Sequence, residues 1–151
     1  MTATVWHPQS TLFRVLAEHL GFFPDLPPVA VHRGLPGVDA ELKIDARPTR
    51  GETTVDAPAV LMWANTMTEP TLCIHQHGDS AQRTTMQVTG GIDELTVTVW
   101  DVDEGELYRL LDPAQRETEI TVDQLAQYVE TGVVETQLLA STTTSGKDIS
   151  Q

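Results

Sequence analysis

Apolar residues recur along this chain at two periods, and the periods divide it into short elements. Leu12, Leu16 and Leu20 repeat every four residues with Phe13 alongside, which predicts a helix over about Thr11–Leu20. Ser10 is placed to cap its first N–H groups and Gly21 to take the left-handed closing position. Phe22 and Phe23 follow directly, so this segment is expected to dock on the core. After Pro24, Pro27 and Pro28, the runs Val29–His32 and Ala40–Asp45 read as two short strands around a Gly34–Gly37 turn. Leu42 and Ile44 alternate with Glu41, Lys43 and Asp45, as on a half-buried strand. Arg47 to Thr54 is polar and reads as a loop.

A second helix is signalled by Asp56 at a cap position and Pro58 in the first turn, where a missing N–H costs nothing. Val60, Trp63, Ala64 and Met67 make its core-facing stripe, and Pro70 ends the segment. Three strands follow, Thr71–His77, Arg83–Thr89 and Glu94–Val102, with Gly78-Asp79-Ser80 and Gly90-Gly91-Ile92-Asp93 as turns. Connections this short make an antiparallel meander the economical topology. Alternation then writes two faces. Leu72, Ile74, Met86, Val88, Leu95, Val97 and Val99 form an apolar one. Cys73, His75, His77, Thr85, Gln87, Thr89, Thr96, Thr98 and Trp100 form a polar, threonine-rich one.

Residues 104–111 suit either a short helix capped by Asp103 and Glu106 or a hairpin turning at Glu104-Gly105. Thr121 and Gln124 make a capping box for a last helix over Val122–Thr131, with Val122, Leu125, Tyr128 and Val129 as its stripe and Gly132 closing it. Val133 to Leu139 reads as a final strand or a docking arm. The expected fold class is α+β: a single antiparallel sheet, including the three-strand meander at about 71–102, with helices packed on its apolar face. Residues 1–140 form the one domain, and the polar stretch 141–151 is a flexible tail.

Composition supports a self-sufficient core. At 151 residues, a compact chain buries roughly 70% of its unfolded surface and needs no staple. The charge narrows the partners. Twenty-two acids face nine bases, for a formal −13. No basic stripe is present to release counterions from phosphates, so neither direct nucleic-acid binding nor adsorption to an anionic membrane is expected. The excess is local: residues 91–135 hold twelve acids and only Arg109 and Arg116 as bases. The lone Cys73 excludes an internal disulfide and fits a reducing cytoplasm. The N-terminal MTATVWHPQS has neither a basic nor an apolar stretch, so no signal peptide is expected. Twenty-one threonines with only two lysines, one asparagine and five isoleucines suggest high-GC codons, as in a bacterial or phage gene.

Candidate chemistry centres on the polar face. Cys73, His75 and His77 alternate along one strand, so their side chains point the same way about 7 Å apart. Thiolate and imidazole are ligands that zinc takes, and Asp79 or Asp101 could add a fourth. Zinc is therefore the one cofactor the sequence offers, against a plain reading with none, in which two imidazoles sit on a solvated face. Asp101-x-Asp103-x-Gly105 begins like a calcium loop. The sixth and twelfth positions, which an EF-hand fills with glycine and a bidentate glutamate, hold Glu106 and Asp112. Cys73 beside His75 could form a nucleophile–base pair, but no Gly-x-Ser-x-Gly elbow or phosphate-cradling glycine loop accompanies it.

The expectation is therefore a non-enzymatic protein-interaction or assembly module, of the kind a phage or mobile element carries. Its partner is another protein or a second copy, met through Trp100, Thr98, Thr96, Gln87, His75 and His77. One alternative is a metal or small-ligand site at Cys73, His75 and His77. The other is an acidic nucleic-acid mimic that occupies a host DNA-binding enzyme's basic groove.

Overall fold

The structure is a computed structural model and describes residues 7–34, 37–44 and 56–134. The fold is α+β. In chain order the elements are α1 (Gln9–Phe22), β1 (Val29–Arg33), β2 (Ala40–Ile44), α2 (Asp56–Ala64), β3 (Thr68–Gln76), β4 (Thr84–Ile92) and β5 (Leu95–Asp103). A 3₁₀ helix (Glu106–Leu110), β6 (Thr118–Ile120) and α3 (Val122–Thr131) complete it. One six-stranded sheet runs β1-β2-β5-β4-β3-β6. Its centre is the expected β3-β4-β5 meander, whose alternation puts Leu72, Ile74, Met86, Val88, Leu95, Val97 and Val99 on one buried face. Trp63 and Val60 of α2, Leu12 and Val15 of α1, and Leu125 of α3 join that same cluster, so the three helices lie on one side of the sheet.

The sheet is mixed rather than wholly antiparallel. β2 pairs parallel with β5, Ala40 opposite Val97 and Leu42 opposite Val99. Alternation reports which side of a strand is buried, but it carries no information on strand direction or neighbour. Asp39 secures this parallel start. Its N–H bonds to the Thr96 carbonyl at 2.7 Å, its Oδ2 accepts the Thr96 N–H at 2.9 Å, and its Oδ1 accepts the His7 N–H at 3.2 Å. Burial works to raise the Asp39 pKa. The bonds from Thr96 and His7 outweigh it and hold the carboxyl below its ordinary value.

Several boundaries shift for identifiable reasons. α1 starts after Pro8, with no side-chain cap from Ser10, and runs through Gly21 to Phe22. Its buried stripe is Leu12, Val15, Leu16 and His19. Phe13 (51%), Leu20 (38%), Phe22 (82%) and Phe23 (42%) flank that stripe and stay exposed, so the segment docks on the core as expected but through Leu12, Val15 and Leu16 rather than its aromatics. Pro70 does not end a helix; it sits in β3 beside a bulge at Glu69, whose φ is 50°. Gly90 and Gly91 lie inside β4 rather than in a turn. A Cβ on Gly90 would come within 3.1 Å of the Met67 Cβ and the Thr68 carbonyl oxygen, so the glycine permits close approach of β3. The turn itself is Asp93-Glu94, with Asp93 at φ 51°, a conformation aspartate tolerates.

The 3₁₀ helix settles residues 104–111 in favour of the helical reading. β6, absent from the expected elements, is too short for periodicity to reveal and pairs with β3. α3 follows its expected form: the Thr121–Gln124 capping box is complete and Gly132 closes it at φ 72°. Val133 is exposed and Val134 buried, while residues 135–139 of the expected arm and the 141–151 tail lie outside the described residues.

Replacing Asp39 with alanine leaves two N–H groups short of an acceptor at the β2–β5 junction. Asp39→Ala is expected to lower the unfolding free energy by about 1–3 kcal/mol near neutral pH. Because the folded carboxyl is depressed, this stabilisation is present above the unfolded pKa and disappears as pH falls through the folded one. Denaturant titrations of parent and variant at neutral and acid pH should therefore converge in acid. A constant gap would contradict this account.

Candidate functional site

The polar face of the sheet is built by the same alternation that builds the core. Opposite residues across the strands run Lys43, Trp100, Gln87, Cys73 and Glu119 in one row, and Glu41, Thr98, Thr89 and Thr71 in the next. A third row places Val102, Thr85 and His75 together. None of Cys73, His75, Gln87, Thr89, Thr96, Thr98 and Trp100 belongs to the apolar cluster that the helices cover. Thr96 is exposed, while Trp100, Thr98, Gln87, His75, His77 and Cys73 are half-buried.

Hydrogen bonds divide this face into satisfied and unsatisfied groups. Thr89 and Thr98 hydroxyls meet at 2.8 Å across the β4–β5 pair. His77 Nδ1 meets the Thr85 hydroxyl at 3.0 Å. Trp100 Nε1 and His75 Nδ1 are buried atoms with no hydrogen-bond partner among the described residues. Such atoms cost about 1–3 kcal/mol each when left unpaired. The Lys43 ammonium lies 5.2 Å from the Trp100 ring centre, a cation–π contact, and its Nζ is 3.5 Å from Asp101. Beside them Val38, Glu41, Gln87, Thr89 and Thr98 line a shallow hollow of about 250 Å³.

Lys43 and Glu41 joined this face only through the parallel register. Their alternation with Leu42 and Ile44 was readable in the sequence, but the neighbour that brings them beside Trp100 was not.

Of the expected metal ligands, Cys73 and His75 lie on β3 and His77 just past its end, and they form no closed set. Among the described residues no three His, Cys, Asp or Glu side chains converge so as to hold a metal ion. Asp101 is buried with the core side of β5, next to Lys43, and Asp79 is exposed in the β3–β4 turn. Burial pushes the Cys73 thiol pKa up, and the charges of Glu117 and Glu119 push the same way. Both effects oppose the thiolate that a nucleophile or zinc ligand would require.

A second polar cluster went unread in the sequence, at the end of β5. Asp103 Oδ2 accepts the Tyr128 hydroxyl at 2.8 Å and the N–H of Gly105 at 3.0 Å. The Tyr128 oxygen in turn accepts the Glu106 N–H at 3.0 Å. A methyl group on Gly105 would collide with that hydroxyl. The sequence signals were the acidic Asp101–Glu106 run, which points equally to a solvated turn, and Asp103 as a cap of the short helix; neither pointed to Tyr128. Next to the cluster Ala57, Pro58, Glu104, Gly105, Tyr128, Val129 and Gly132 line a cavity of about 450 Å³.

His19 is held on the helical side. Its ring stacks on Trp63 at 5.8 Å, and its Nε2 meets the Thr66 hydroxyl at 2.9 Å. That hydroxyl donates to the Trp63 carbonyl at 2.8 Å, so Nε2 carries the donated proton. Burial lowers the His19 pKa, as expected for a neutral packed imidazole.

Compared with protein-family models, curated proteins and solved structures, the chain shows no significant match. Among the described residues no helix is long and apolar enough to cross a membrane.

The raised Cys73 pKa predicts a sluggish thiol. Its alkylation by iodoacetamide at neutral pH is expected to be slower than that of a small free thiol, with a midpoint on the alkaline side of the ordinary thiol value. A rate at neutral pH exceeding that of the free thiol would show an activated cysteine and revive the nucleophilic reading.

Proposed function

We propose that this chain is a non-enzymatic protein-interaction module that assembles through the polar face of its sheet, which no described helix covers, with a second copy of itself as the first partner to test. The observation that carries this reading is the pair of unpartnered groups, Trp100 Nε1 and His75 Nδ1, on the face that no described helix packs against. Both atoms are buried in the single chain, so a docked protein surface would supply the oxygens they lack only once the side chains over them move aside. Trp100 serves as the anchor, since tryptophan combines a large contact area with one donor. Gln87, Thr96 and Thr98 offer adaptable hydrogen bonds around it, and His75 on β3 and His77 just past its end extend the field. Lys43 is the movable cover: its long side chain lies over the indole at 5.2 Å and can be displaced. Most soluble assemblies are homo-oligomers, which makes a second copy the economical first partner.

Sedimentation across a concentration series tests the reading. The parent chain is expected to self-associate, and Trp100→Ala to weaken the association by roughly tenfold or more, the equivalent of ~1.4 kcal/mol. Phe22→Ser, on the helical side and 82% exposed, is expected to leave the association unchanged. A chain that is monomeric at every concentration, or equal weakening by both variants, overturns self-assembly through this face. Association that dissolves in salt while Trp100→Ala has no effect would instead show a contact held by charge pairs away from Trp100.

A further inference from the structure

The two edges of the sheet are built differently. β6 closes one side with three residues, and the central one is Glu119. A strand so short, with a charge in its middle, is a poor template for further pairing. β1 closes the other side with five residues, and β2 is its one strand partner among the described residues. Its register runs unbroken from Val29 opposite Ile44 to Arg33 opposite Ala40, without a bulge. Pro27 and Pro28 stand before the strand and none stands in it, while Val31, His32 and Arg33 are exposed. Short length, a bulge or an internal proline would shield such an edge, and β1 has none of them.

The register also fixes what β1 presents. Val29, Val31 and Arg33 lie opposite Ile44, Leu42 and Ala40, all buried, so they share the side that the helices cover. Ala30 and His32 lie opposite Lys43 and Glu41, on the polar side. The apolar row thus continues outward from Leu42 to Val31, which is 38% exposed. Charge favours the same edge. Residues 29–44 hold two acids, Asp39 and Glu41, and two bases, Arg33 and Lys43. Residues 118–131, which form β6 on the opposite edge and the helix after it, hold Glu119, Asp123 and Glu130 and no base. In a chain of net charge −13, two copies therefore meet with less repulsion at β1 than at β6.

We propose that β1 is a strand-addition edge whose occupant is β1 of a second copy, antiparallel and centred on Val31, joining two six-stranded sheets into one of twelve strands. This contact is separate from the Trp100 face. Its register follows from self-complementarity. A two-fold axis at Val31 sets Val31 opposite Val31 of the second copy, Ala30 opposite His32, and Val29 opposite Arg33. No like charges face each other, and side chains of one side stay together. Centring on Ala30 instead would bring in Pro28, which has no N–H to pair, and centring on His32 would set two imidazoles face to face. The pairing is also closed. β1 meeting β1 uses up the edge on both copies, whereas β1 meeting β6 would leave a free edge at each end and grow a filament.

Disulfide trapping tests the edge and its register together. Cys73 is the chain's one cysteine, so Cys73→Ser gives a thiol-free background. In it, Val31→Cys and His32→Cys are compared in the full chain under oxidised glutathione. In the proposed register the two copies of position 31 lie directly opposite, with Cα atoms about 5 Å apart, within disulfide reach. The two copies of position 32 are offset by two residues, with Cα atoms about 8 Å apart, beyond it. Val31→Cys is expected to give disulfide-linked dimer at least about tenfold faster than His32→Cys. Equal rates would report random collision and overturn the proposal, as would faster linking at His32 or none at either position. Adding Trp100→Ala to Val31→Cys is expected to leave the rate unchanged. Loss of linking there would make the edge contact a by-product of the Trp100 face and overturn it as a separate interface. The parent chain gives a readout that needs no variant. Amide exchange at Val29–Arg33 is expected to slow as protein concentration rises, and exchange that ignores concentration overturns the proposal.

Discussion

Period-two alternation in β3, β4 and β5 is the constraint on which the remaining structure depends. It commits Leu72, Ile74, Met86, Val88, Leu95, Val97 and Val99 to one side, and a sheet with one apolar face must bury it against something. Trp63, Val60, Leu12, Val15 and Leu125 do so from three helices. The opposite side chains are fixed by the same rule, because a one-residue slip would exchange the faces wholesale. The polar field around Trp100 is thus a geometric consequence of the core.

How much of this was legible follows from which signals are local. The meander, α2's stripe and α3's capping box were readable because each rests on neighbours within a few residues. The exposure of Phe22 and Phe23 was not readable. The stripe of α1 centres on Leu12, Val15, Leu16 and His19, and only the packed sheet decides which arc of a helix faces inward. The parallel β2–β5 pair and the short β6 were hidden for a related reason, since strand neighbours depend on the whole topology. At the site, the face of Cys73, His75, Gln87 and Trp100 was visible from alternation alone. The arrival of Lys43 over the indole and the burial of Asp103 opposite Thr84 needed the register.

The two buried aspartates illustrate how one residue type acquires opposite behaviour from its surroundings. Asp39 has N–H donors on both oxygens, from His7 and Thr96, and its charge is welcome. Asp103 has donors on one oxygen only, with Glu104 beside it, and its charge is opposed. Asp39 therefore holds the β2 side of the sheet more firmly as pH rises, and Asp103 holds the α3 side more firmly as pH falls. The two ends of the molecule respond to protons in opposite directions.

The parallel pairing of β2 with β5 also orders events in time. The β4–β5 hairpin closes through Asp93-Glu94 alone, and β3 reaches β4 across a short turn, so the meander can assemble from contacts close in sequence. β2 must meet β5 across the fifty residues from Asp45 to Glu94, and closing so long a loop is entropically costly until its far end is already ordered. β1 pairs with β2 across a short connection, so these two strands can pair locally and reach β5 together. By sequence separation, the β2–β5 pairing nearest Trp100 is expected to form after the meander. Until β2 arrives, the β5 backbone that carries Trp100 is itself an open edge, available to any other strand that reaches it first.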